Sequence, residues 1–299
     1  MAIDTNRIEK PVRKIRKFLK KSPKRPNIEQ IHDLRTSCRR FESNLEAIGL
    51  STKAKQRRVL KDVAGIRKRA GKIRDVDVLT GYALGIQLPG EQDCLVQLIE
   101  HLGGSRGKQV KKLRRLIQKK DELLRGRLKR TLGKVEKLLK RTGKSKTGEK
   151  PNTSDEITAR ALHVANELKS PAQLDRKNLH AYRLKVKELR YILQLSAESD
   201  RQKFVRKLSE VKDAIGEWHD WEELIVMAED VLDHGPKCQL LPKLHEISEA
   251  KYKRAITVAN EMRNSYLPGL AARSKGGAAQ AKSSVSNFPV LAATSAISA

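Results

Sequence analysis

The amino-acid sequence predicts an all-α fold: two four-helix bundles built from a duplicated helical unit. Three observations carry the expectation. Apolar residues recur at helical spacing over most of the chain. Aromatic residues are 4% of 299, and Gly and Pro number only 18 and 10, a composition poor for β-structure and ordinary for helices rich in Leu, Lys, Arg and Glu. Stretches of the first half also recur in the second.

The periodicity predicts a short basic helix near 6–21, then helices over 27–48, 53–70, 75–86, 92–102 and 107–141. The second half predicts helices over 154–169, 175–197, 200–215, 220–233 and 243–266. Gly71 and Gly216 read as turn markers, with Asp75 and Asp220 as the N-caps that follow them. Between the halves, TGKSKTGEKPNTSDE has no apolar period and the composition of a flexible connector. The expected organisation is therefore a first bundle over 1–141, a linker over 142–153, a second bundle over 154–267 and a disordered tail over 268–299.

The repeat is specific. IHDLRTSCRRFESNL (31–45) aligns with LHAYRLKVKELRYIL (179–193) at an offset of 148. Ile31, Leu34, Cys38, Phe41 and Leu45 then stand over Leu179, Tyr182, Val186, Leu189 and Leu193, and His32, Arg35 and Arg39 over His180, Arg183 and Lys187. GKIRDVDVL (71–79) aligns with GEWHDWEEL (216–224) at an offset of 145, placing Gly71 over Gly216, Asp75 over Asp220 and Arg74 over His219. The preceding stripes, Val59, Val63, Ile66, Ala70 and Phe204, Leu208, Val211, Ile215, keep the same register.

Charge points to the partner. The chain carries 64 Lys and Arg against 35 Asp and Glu, a net charge of +29, so its surface repels itself unless a polyanion neutralises it. Residues 1–150 hold 42 basic and 16 acidic residues, and 151–299 hold 22 and 19, so most of the positive field belongs to the first half. The three cysteines, Cys38, Cys94 and Cys238, are far apart and without metal-ligand spacing, which speaks against a disulfide framework or structural zinc and for a reducing cytosol. The N-terminus lacks the apolar core of a secretion signal, and no window of about 18 apolar residues is long enough to span a bilayer.

At about 100° per residue, His32, Arg35 and Arg39 fall within roughly 60° of arc beside the apolar stripe. His180, Arg183, Lys187 and Arg190 do the same in the second copy, with Tyr191 at the edge. Side chains braced by a core beneath them can present a preorganised row of donors to consecutive phosphates. The plain alternative is a solvated face with Asp33, Asp75 and Asp220 as ion-pair partners. Mere solubility, however, does not demand a histidine at both first positions. Arg58, Lys61 and Arg74, on and after the helix that follows, complete the candidate phosphate-binding set.

IHDLRTSCRRF with GKIRDVDVL, then LHAYRLKVKELRY with LSEVKDAIGEWHD, resembles the CHAD (conserved histidine α-helical domain) family from residue 10 to about 266. The resemblance implies two pseudo-symmetric helical bundles around a basic surface that binds inorganic polyphosphate, often at intracellular polyphosphate granules. It implies phosphate-facing roles for His32, Arg35, Arg39, Arg40, His180, Arg183, Lys187 and Arg190. Departures are Glu42 where the second copy has Arg190, and Lys68 over Asp213, so the halves are expected to contribute unequally. Some relatives carry a triphosphate-tunnel catalytic domain, but its ExExK motif and β-pattern do not occur in this sequence.

The expected function is therefore non-enzymatic polyphosphate binding in the cytoplasm, with no cofactor, no metal and no membrane. Phosphate-loop, nucleophile-elbow and zinc-helix motifs are not found, and Asp75 with Asp77 makes only a weak metal-binding pair. A nucleic-acid binder is the alternative that the same charge would serve. It is ranked second because the few aromatics mostly fall on apolar stripes rather than forming stacking platforms.

Overall fold

Capping chemistry sets where the repeated helices begin. Asn27 Oδ1 accepts the Gln30 N–H at 2.8 Å while Gln30 Oε1 accepts the Asn27 N–H at 3.0 Å, a reciprocal capping box that starts the helix bearing His32. Before the second copy, Asp175 Oδ1 accepts the N–H groups of Lys177 and Asn178, each at 2.9 Å. The structure is a computed structural model and describes residues 5–47, 50, 53–88, 93–142, 153–170, 172–195, 202–233 and 238–267.

Among the described residues there are nine helices and no strand, so the fold is all-α. The helices are α1 (Thr5–Lys21), α2 (Ile28–Ala47), α3 (Ala54–Leu84), α4 (Asp93–Gln118), α5 (Asp121–Thr142), α6 (Thr153–Lys169), α7 (Leu179–Leu195), α8 (Gln202–Val231) and α9 (Leu240–Tyr266). They group into two compact units: α1 to α5 in one, and α6, α7, α8 as far as Glu229, and α9 in the other. The first unit thus holds five helices rather than four. Thr142 closes α5 and Thr153 opens α6; the rest of the expected linker, and the expected tail over 268–299, lie outside the described residues.

The two glycine-marked turns are not turns. α3 runs unbroken through Gly71 and Asp75, and α8 through Gly216 and Asp220, so neither aspartate is an N-cap. One interior glycine costs a helix about 1 kcal/mol relative to alanine, which a long helix with a buried stripe on both sides of it absorbs. The break expected after Leu102 is bridged as well. Cys94, Leu98, Leu102, Val110, Leu113 and Ile117 form one buried stripe along α4, and the chain turns only at Lys119 and Lys120.

In the first unit, α2 packs against α1 and α3, α3 also packs against α4 and α5, and α1 reaches α5. Ile31, Leu34, Cys38, Phe41 and Leu45 are all buried in that core, as expected. In the second unit, Leu179, Tyr182, Val186, Leu189 and Leu193 are buried with side chains of α6, α8 and α9. Phe204 stacks on Tyr266 at 4.7 Å between ring centroids, and Arg263 donates to the Lys169 carbonyl at 2.7 Å. The three cysteines are buried thiols, and burial pushes the Cys38 pKa far up, which keeps it neutral.

Phe41 is fully buried at the centre of the first core. Phe41→Ala is expected to cost about 3–5 kcal/mol of unfolding free energy through lost transfer and a cavity, read by urea denaturation. A loss below about 1 kcal/mol would mean that α2 is not braced by this core.

Candidate anion-binding site

On α2 the buried stripe leaves His32 and Arg40 exposed and Arg35 and Arg39 half-buried at its border. His32 Nε2 lies 3.4 Å from Thr36 Oγ1 one turn on. Arg35 reaches across to α3, where its Nε would stand 3.8 Å from a Cβ on Gly71. Burial against α3 is the main reason its guanidinium pKa falls below the ordinary value; Asp75 opposes the shift, and Arg39, Arg67 and Arg74 add to it. Four guanidinium groups therefore feel one another here. Arg67 Nε is 2.7 Å from Glu42 Oε2, so one of them is already paired. Burial raises the Glu42 pKa, with Arg67 holding against the rise.

The second unit repeats the device more tightly. Arg183 on α7 lies on the backbone of α8: a Cβ on Gly216 would stand 2.6 Å from Nη2 and 3.1 Å from Cζ of Arg183, so a side chain there would push the guanidinium aside. The Arg183 Nε–H donates to the Lys212 carbonyl at 3.3 Å, which fixes the plane of the fork. No carboxylate pairs with Arg183 among the described residues. His180 meets His219 edge-on at 5.0 Å between ring centroids. Partial burial lowers the His180 pKa, His219 and Arg183 lower it further, and Glu223 opposes them. Lys187 is half-buried along the same helix, and the Arg190 guanidinium covers the Tyr191 ring at 4.9 Å.

The structure thus brings Arg39 and Arg74 near Arg35 in one unit and Arg183 near His180 in the other, with Arg35 and Arg183 each seated against a glycine of the facing helix. His32 and Arg40 stay exposed on α2, while Lys187, Arg190 and Tyr191 continue along α7. Arg58 and Lys61 do not join the cluster. They precede Gly71 by 13 and 10 residues, about 15–20 Å along the helix axis, and Arg58 lines a separate pocket with α5. Reasoning from sequence missed Arg67 and His219. The register at 145 carried the signal, since it sets Arg67 over Lys212, four residues before each glycine, and Arg74 over His219, three after. Asp77 is buried and held by Arg106 Nε at 2.6 Å, and Asp75 faces Arg35, so each of these two aspartates already answers an arginine. Among the described residues no three His, Cys, Asp or Glu side chains gather as a metal site.

Chemically, these strips offer hydrogen-bond donors and positive charge, held by packing. Comparison with known families matches residues 7–229 to the CHAD domain. No curated protein and no solved structure matches the chain.

The two glycines should respond differently to a methyl group. Gly71→Ala places its Cβ in ordinary contact and is expected to raise stability by roughly 0.5–1 kcal/mol through helix propensity. Gly216→Ala forces Arg183 off the Lys212 carbonyl, so its gain should vanish or turn into a loss. Chemical denaturation of both variants measures this, and equal stabilisation would show that Arg183 does not need the glycine.

Proposed function

The chain belongs to the CHAD domain family, and from that premise we propose that it is a non-enzymatic binder of inorganic polyphosphate. The observation that carries the reading is the repeated seating of an arginine fork on a helix glycine, Arg35 at Gly71 and Arg183 at Gly216. An arginine laid on a helix backbone has given up most of its rotamer freedom before any ligand arrives, so less entropy is lost when phosphate oxygens meet the fork. Arg39, Lys187 and Arg190 extend each row, with lysine acting as a mobile point charge. The duplicated halves and the common basic groove implied by the family resemblance belong to this proposal, with both rows serving one polyanion. So does a place at intracellular polyphosphate granules. Among the described residues no helix is long and apolar enough to cross a membrane.

Polyphosphate is favoured over nucleic acid by where the aromatic rings go. Phe41, Tyr182, Phe204, Trp218 and Trp221 are buried, and Tyr191, the exposed ring among the described residues, is covered by Arg190. Single-stranded bases would find little to stack on. The strips also supply donors rather than a nucleophile with a base beside it, which fits binding without turnover.

The deciding experiment sets long-chain polyphosphate against DNA and RNA at equal phosphate concentration in an anisotropy competition. Polyphosphate is expected to win at moderate salt; nucleic acid winning would overturn the reading. Histidine gives a second prediction. In the free protein the His180 pKa lies below its ordinary value, so the ring is neutral at pH 7, and bound phosphate beside it favours the imidazolium. Binding then takes up a proton and tightens as pH falls from about 8 to about 6, modestly, because the arginines keep their charge throughout. An NMR titration should show the His180 curve displaced upward by polyphosphate; an unmoved curve would make His180 a packing residue.

A further inference from the structure

The first turn of α3 holds a second concentration of charge, well away from Gly71. There α3 and α5 enclose a pocket of about 330 Å3 whose walls carry Lys55, Arg58, Arg127, Arg130 and Lys134. No carboxylate lines it. Its floor is closed by Val59 and by the buried polar side chains of Gln56 and Thr131. Arg58 would ordinarily pair with Asp62 one turn on, but both Asp62 oxygens are occupied. Lys120 Nζ stands 2.5 Å from Oδ1, and Arg127 Nη1 donates to Oδ2 at 2.7 Å. The buried aspartate therefore orients Arg127 and leaves the other four cations without a carboxylate in the pocket.

The backbone adds to the field. Lys53 occupies the N-cap position of α3 without a side-chain cap hydrogen bond, and no acidic residue stands in the first turn. The N-terminal end of a 31-residue helix thus adds its partial positive charge at Lys55 and Gln56, where the pocket lies. A fold gains nothing from bringing five like charges to one concavity at an uncapped helix start, and an anion seated there relieves both costs.

We propose that the pocket between the first turn of α3 and α5 is a second, separate anion site that takes a compact run of about three phosphates. The size follows from the enclosure, which is at the small end of ligand pockets, roughly 300–1,000 Å3. The charge follows from the four cations that Asp62 does not answer, matching a tripolyphosphate with roughly four negative charges near neutral pH. Arg58 and Arg130 fork onto the outer phosphates, Lys55 and Lys134 answer the remaining oxygens, and Arg127, held by Asp62, closes the floor side. The site does not depend on the arginine and glycine strips, and either stands if the other fails. Such a run has two sources, a free oligophosphate or the end of a long chain.

Calorimetric titration of inorganic tripolyphosphate into the full chain tests the proposal. Arg58 and Arg130 are exposed, so R58E/R130E should fold as the parent does, which circular dichroism checks. This variant is expected to weaken tripolyphosphate binding by at least about thirtyfold, since two charge-assisted contacts are lost and reversed. The milder R58Q/R130Q should show a smaller loss in the same direction. K111E/K112E makes the same change in net charge at exposed positions of α4 and should stay within about threefold. Displacement of tripolyphosphate by long chains in proportion to their number of ends assigns the pocket to chain ends, and resistance to displacement assigns it to free oligophosphates. No measurable tripolyphosphate binding, or equal losses in R58E/R130E and K111E/K112E, would each overturn the proposal.

Discussion

The seating of an arginine guanidinium on the bare backbone of a neighbouring helix is the constraint around which the candidate site is arranged. It uses a glycine at one position of α8, because a Cβ there would stand 2.6 Å from the Arg183 fork and displace it. It requires α7 to bury its stripe from Leu179 to Leu193, because only a braced helix can aim a side chain at a fixed point on its neighbour. It also explains why an interior glycine, unfavourable for a helix by about 1 kcal/mol, sits in the middle of a 30-residue helix. Arg35 and Gly71 hold the looser version of the same contact.

Electrostatics then gives the contact a purpose. Arg39, Arg67 and Arg74 each act against the charge on Arg35 while Asp75 supports it, and Glu42 pairs with Arg67. In the second unit His219 and Arg183 act on His180 and, with burial, hold its pKa below the ordinary value. Elsewhere the protein pairs its buried charges, as with Asp77 and Arg106 or Asp62 with Lys120 and Arg127.

The apolar stripes were legible in sequence because burial imposes the helical period directly. All ten aligned positions, from Ile31 to Leu45 and from Leu179 to Leu193, are buried. Glycine misled for a physical reason: its sequence signal is the same whether it ends a helix or admits a neighbour, and only the neighbour distinguishes Gly216 from a turn. The helix break at Lys119 and Lys120 carried no glycine or proline, while Gly103, Gly104 and Gly107 sit inside α4. The pocket that Arg58 lines with α5 was not legible because α5 lies outside the repeated motifs. Arg67 and His219 were visible in the register of the repeat but not in any single motif.

Gly216 is proposed to serve binding through Arg183, and a double-mutant cycle on polyphosphate affinity measures that link. Affinities of the parent, R183A, G216A and R183A/G216A, measured at one salt concentration, give the coupling between the two positions. G216A is expected to weaken binding in the parent and to change nothing further once Arg183 is gone. Effects that add to within about 0.5 kcal/mol, or a G216A protein that binds as the parent does, would contradict it.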